Sequence, residues 1–111
     1  MTGRTKSMFT APSYAAANGG IIGMTMTLAA QSGPLGVRVN TICPGMVNTP
    51  MLEPFQSALG AERVQAVAAS IPLGRFAEPC ELAATVEFLV SDRSSYLTGE
   101  TINVNGGAFM A

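Results

Sequence analysis

Two short β-prone runs separated by a long helical stretch limit this chain more than any other feature. Val37 to Cys43 sets Val, Val and Ile against Arg38, Asn40 and Thr41 and closes on Pro44-Gly45; Thr101 to Asn105 closes on Gly106-Gly107. Strand, helical crossover, strand is the order that gives a parallel pair joined right-handedly. Parallel strands are covered on both faces, and a bare two-stranded sheet has little to hold it. The pattern is therefore α/β, and the sheet it implies is incomplete within these residues.

The helical segments follow from spacing and punctuation. Ala11 to Ser32 reads as one helix, with Thr10 as its cap, Pro12 in the first turn and Gly33-Pro34-Leu35-Gly36 at its end. Its polar side is thin, and Gly19, Gly20 and Gly23 each cost about 1 kcal/mol against Ala, which implies close backbone packing. Residues 50 to 71 read as a helical insert punctuated by Pro54 and Gly60, followed by a loop from Ile71 to Arg75. A further helix starts at Glu78-Pro79-Cys80-Glu81, with acids near its positive end, an apolar face of Leu82, Val86, Leu89 and Val90, and a stop at Ser91 to Ser94.

Composition excludes several function classes. At 111 residues the chain is long enough for one domain with its own core, and 48% hydrophobic with 12% charged residues argues against disorder. A net charge of -1, with six Lys plus Arg and no cluster of them, offers no footprint for nucleic acid or an anionic membrane. Cys43 and Cys80 lack neighbouring ligands and there is no histidine, so no metal site is expected and both read as structural thiols. The start Met1-Thr2-Gly3-Arg4 is not a leader pattern and no run is long enough to span a bilayer, which leads us to expect a cytoplasmic protein.

The motifs carry a more specific message. In order they are Tyr14-Ala15-Ala16-Ala17-Asn18-Gly19-Gly20, Val37-Arg38-Val39-Asn40, Pro44-Gly45-Met46-Val47-Asn48-Thr49-Pro50, Pro72-Leu73-Gly74-Arg75, Phe88-Leu89-Val90, and Leu97-Thr98-Gly99 leading into Asn103-Val104-Asn105-Gly106-Gly107. Across essentially all its residues the chain resembles the C-terminal half of a short-chain dehydrogenase/reductase, of the 3-oxoacyl-acyl-carrier-protein reductase or sugar alcohol dehydrogenase type. The resemblance implies that residues 1–111 are part of a Rossmann domain with two parallel strands and three to four helices, the nucleotide-binding half lying outside the chain. It also implies NAD or NADP as cofactor and a small carbonyl or alcohol as substrate.

By the same resemblance Tyr14 is the catalytic acid/base and touches the cofactor, while Asn18, Pro44, Gly45, Val47 and Thr49 belong to the nicotinamide pocket. A free tyrosine has a pKa of about 10, so roughly one in a thousand is phenolate at neutral pH. The family supplies a lysine one helical turn on, whose charge favours the phenolate; here that position is Asn18. A lost effect of about one to three pKa units reduces the phenolate about ten- to a thousandfold.

Lys6 is poorly placed to substitute, and Ser7 and Ser13 are wrongly spaced for the family's catalytic serine, which falls at or just before Met1. The Gly-rich pyrophosphate turn is likewise not found in these residues. Met51, Leu52 and Phe55 fall in the family's substrate lid, or alternatively cap a core. Arg38 and Arg75 read as solvated or paired surface residues.

Two functions are therefore expected. One is a ketone/alcohol oxidoreductase segment that is inactive by itself. The other is a non-catalytic contact module that forms a homo-oligomer or joins a full-length relative through apolar faces.

Overall fold

The structure, a computed structural model, describes residues 10–110. Lys6, Ser7 and the amino-terminal loop around them lie outside the described residues. The described chain has four α-helices and two strands: α1 (Pro12–Ser32), β1 (Thr41–Pro44), α2 (Glu53–Leu59), α3 (Ala61–Ala69), α4 (Pro79–Val90) and β2 (Thr101–Val104). β1 and β2 are neighbours in one sheet. The Thr41 amide donates to the Glu100 carbonyl and the Gly45 amide to the Val104 carbonyl, both at 2.9 Å. Equal advance along both strands is parallel register. The expected α/β class and parallel pair are both present.

The chain divides into two compact units. One takes the chain up to Cys43 with Phe88–Ile102, and the other takes Pro44–Glu87 with the chain from Asn103 onward.

In the first unit α1 starts one residue later than the sequence suggests. Ala11, not Thr10, is the N-cap, with φ -60° and ψ 144° and no side-chain cap. Pro12 is the reason: a residue before proline is pushed out of helical space, and proline itself suits the first helical position. The helix ends through a 3-10 turn at Gly33–Leu35 and a left-handed Gly36 at φ 75°. α1 carries no charged residue, yet only Thr25 and Ala29 on it are buried. A methyl group built on Gly20 or Gly23 would meet nothing within 4 Å, so the close packing inferred from these two glycines is not made among the described residues.

The run expected as strand from Val37 joins the ladder only at Thr41. Residues 37–40 are held instead by side chains from the far end of the unit. Arg38 donates to Ser94 Oγ at 3.0 Å and to the carbonyls of Ser91 and Leu97 at 3.3 and 3.4 Å. Asn40 donates to the Leu97 carbonyl at 2.9 Å and accepts the Glu100 amide at 3.1 Å. Ser94, only 1% exposed, donates to the Leu89 carbonyl at 2.8 Å. Arg38 is thus a tether among neutral acceptors, not a solvated charge.

In the second unit a 3-10 turn at Pro50–Leu52 leads into α2, where Pro54 sits in the first turn and does not interrupt the helix. Gly60, at φ 79° and ψ 157°, separates α2 from α3 as expected. At the start of α4 the Glu81 carboxylate reaches back to the Glu78 amide at 2.8 Å, a reciprocal cap on an otherwise unpaired donor. The same carboxylate takes two hydrogen bonds from the Arg75 guanidinium, at 2.6 and 2.7 Å. The expected apolar face of α4 is only half correct, since Val86 and Val90 are exposed while Leu82 and Leu89 are half-buried.

The expectation of a self-sufficient core is not met among the described residues. Ala29, Cys43 and Ile71 are its buried apolar side chains, whereas Ile21, Met24, Met26, Met51 and Tyr96 are among many large apolar residues left exposed. Two strands of four residues supply too little sheet area to cover them. Cys43 fits the structural reading; Cys80, in the first turn of α4, is exposed and does not.

Replacing Arg38 with Ala removes three hydrogen bonds, although the Leu97 carbonyl keeps Asn40 and the Ser91 carbonyl keeps Ser94; it should lower stability by about 1–3 kcal/mol in urea denaturation. Glu81 is held down to about 2 from the ordinary carboxylate value of 4.5, first by Arg75 and then by the Glu78 amide. Its contribution is therefore complete above the ordinary carboxylate range and is lost as pH falls through about 2. A Glu81→Gln variant should flatten that part of the stability profile measured between neutral pH and acid, and salt should weaken the wild-type effect because the pair is exposed.

Candidate functional site

Tyr14 and Asn18 stand one turn apart on α1, which puts them on one side of the helix. Tyr14 is 57% exposed and Asn18 half-buried. Position 18 presents a carboxamide, which can donate or accept a hydrogen bond but carries no charge at any working pH.

Pro44, Gly45, Val47 and Thr49 lie together in the second unit, where β1 runs out into a loop. Val47 forms a parallel bridge with Ala77: the Ala77 amide donates to the Met46 carbonyl at 2.9 Å and the Asn48 amide to the Ala77 carbonyl at 2.7 Å. In extended backbone, successive residues present their polar groups to opposite sides. The bridge therefore turns the N–H and C=O of Val47 away from Ala77, as an adjacent donor and acceptor. That pair matches the two hydrogen-bonding groups of a primary carboxamide. The Asn48 side chain steadies the loop by donating to Glu78 Oε1 at 3.1 Å. Thr49 starts the 3-10 turn, its carbonyl accepting the Leu52 amide at 2.9 Å and its hydroxyl at 3.5 Å from the Val47 carbonyl.

Gly45 also has a packing role that its motif does not announce. Its amide is committed to Val104, and a methyl group in its place would sit 2.8 Å from the Cα of Asn105. Only glycine fits, because the opposing atom is backbone and cannot swing away.

The lid positions are open to solvent at Met51, 88% exposed, and Phe55, 41% exposed, with Leu52 half-buried. These three do not cap a core within the chain. A cavity of about 180 Å³ in this unit is lined by Met46, Ile71, Leu73, Asn103 and Val104 among others. None of Val47, Thr49, Tyr14 or Asn18 lines it, so it is not the pocket the motifs describe. Among the described residues no three His, Cys, Asp or Glu side chains converge as metal ligands, and no helix is long and apolar enough to cross a membrane.

The site-forming residues thus fall into two groups, one on α1 and one in the loop after β1. Sequence reasoning missed the residues that hold the loop: Ala77, Glu78 and Asn105. Ala77 and Glu78 carry no local signal. Asn105 does, because an Asn followed by Gly-Gly is a turn in which the side chain accepts the amide two residues on.

Comparison with known proteins gives these positions a context. A family profile described as enoyl-(acyl carrier protein) reductase matches residues 1–108. A short-chain reductase protein, NovJ, of Streptomyces niveus is 50% identical over 97 residues, covering 85% of this chain and 37% of the relative. A 3-oxoacyl-[acyl-carrier protein] reductase from Brucella melitensis superimposes with a TM-score of 0.87 at 38% identity, over 99% of this chain and 40% of that one. Another Brucella melitensis reductase of the same description, solved with bound NAD, gives 0.81 at 37% identity over 99% of this chain and 38% of that one. The chain spans about two fifths of the length of these proteins. A tyrosine helix, a Pro-Gly loop at the end of a parallel strand, a family match along nearly the whole chain and half-identity to a short-chain reductase lead to one conclusion: the chain belongs to the short-chain dehydrogenase/reductase family.

Proposed function

We propose that this chain is the substrate-side segment of an NAD(P)-dependent oxidoreductase that interconverts a ketone and a secondary alcohol, and that its 111 residues do not catalyse this by themselves. The observation that carries the reading is the Val47 backbone pair turned away from Ala77, next to Thr49, where a nicotinamide carboxamide can be held. The cofactor supplies or accepts the hydride. Tyr14 exchanges the hydroxyl proton with substrate, and Asn18 donates to a ribose hydroxyl in place of a lysine. Met51, Leu52 and Phe55 shape the substrate side. Pro44 ends β1 and directs the loop, and Gly45 sets its depth.

The weakness of the site lies at Asn18. Without a cation one turn from Tyr14, proton transfer slows by about ten- to a thousandfold.

A second reading is favoured by α1, an uncharged 21-residue helix with Ile21, Met24 and Met26 exposed. Such a helix is normally surrounded by protein. Self-association, or pairing with a full-length relative, would cover it, which makes contact the alternative function of the isolated chain.

The deciding assay is reduction of a panel of small ketones and 3-oxoacyl thioesters by the purified chain with NADH and NADPH. No turnover is expected from the wild type. Turnover by the wild-type chain would refute the claim of inactivity. If the chain is mixed with a separately expressed nucleotide-binding half from a relative, Asn18→Lys should exceed wild type by about ten- to a thousandfold. Equal rates in that mixture would remove Asn18 as the cause.

A further inference from the structure

Asn105 follows β2 and is only 7% exposed. Its carboxamide is used at both ends: Oδ1 accepts the Gly107 amide and Nδ2 donates to the Phe109 carbonyl, each at 3.0 Å. Its own carbonyl accepts the Ala108 amide at 3.1 Å. Residues 105–109 are thereby closed into a turn organised around one side chain, with Gly106 and Gly107 at φ 62° and 87°.

This turn touches two separate parts of the second unit. On one side its first residue is the surface against which Gly45 is pressed, with no space for a methyl group. On the other, the Gly106 carbonyl accepts the Leu73 amide at 3.1 Å, and methyl groups on Gly106 and Gly107 would lie 2.9 Å from Ile71 Cγ2 and Pro72 Cγ. Ile71 is buried and its amide bonds back to Ala68, so this loop is the foot on which α3 ends. Two of the contacts are made by glycine backbone. Tight packing of this kind passes a displacement on, because no side chain at these positions can rotate to absorb it.

We propose that Asn105 is a positioning residue that fixes the loop Gly45–Thr49 and the foot of the α2–α3 segment to one another. The coupling stands on the packing alone. Its consequence for catalysis, that the carboxamide-facing edge and the substrate lid hold a common register, rests on the function proposed above.

Amide hydrogen exchange on the 111-residue chain, followed without cofactor by NMR, separates the two. The reporters are the Gly45 and Leu73 amides, which donate to Val104 and Gly106. Asn105→Ala should speed exchange at both by about tenfold or more while α1 amides keep their rates. Asn105→Asp, which keeps the acceptor for Gly107 and loses the donor to Phe109, should recover part of the protection at both. Gly45→Ala approaches the turn from its other side: it should speed exchange at Leu73 while α1 amides keep their rates, although no hydrogen bond joins Gly45 to Leu73. An unchanged Leu73 amide in Gly45→Ala, or a response at only one reporter in Asn105→Ala, would overturn the proposal. NADH titration of the same samples scores the cofactor reading independently, since absence of binding leaves the exchange result intact.

Discussion

The approach of two backbones at Gly45 and Asn105 is the constraint on which the loop region depends. With 2.8 Å between the Asn105 Cα and the position a Gly45 methyl would occupy, one residue must lack a side chain, and the two strand ends are drawn level. That level puts the Gly45 amide on Val104 and launches residues 46–48 alongside Ala77. The outward-turned Val47 groups are a consequence of this register. A wider spacing at Gly45 would lose the bridge and with it the ordered donor and acceptor.

Around this point, the chain uses its few charged side chains as structural ties. Arg75 and Glu81 form a bidentate pair that also caps α4, combining charge complementarity with satisfaction of a helix-end donor. Arg38 instead spends its guanidinium on a hydroxyl and two carbonyls, which orders residues that are too irregular to join the sheet. Each arginine is thus engaged by partners within its own unit.

Local chemistry made much of this legible in the sequence. Pro12, Gly36 and Gly60 set the helical boundaries because their backbone preferences act within a residue or two. The two parallel strands were readable from their β-branched runs, but their lengths were not: residues 37–40 have strand-like composition and are held by Ser91, Ser94 and Leu97, partners far away in the chain. The same limit hides the packing requirement at Gly45, which depends on Asn105 far along the chain. It also explains Gly20 and Gly23, where composition implies a close neighbour that the described residues do not provide. Val86 and Val90 belong to the apolar face of α4 and are nonetheless exposed, because hydrophobicity marks what wants cover, not what supplies it.

The chain keeps the family's tyrosine helix and Pro-Gly loop and has Asn at position 18, and the function proposed for it turns on that residue. The most direct test is titration of NADH and NADPH into the purified chain by nicotinamide fluorescence, with light scattering after size exclusion on the same sample. No saturable binding up to millimolar cofactor, in a sample that scatters as a defined oligomer, is the predicted result. Saturable micromolar binding by the wild-type chain would contradict it, since it would show that these residues assemble a complete cofactor pocket without a Gly-rich turn or the lysine.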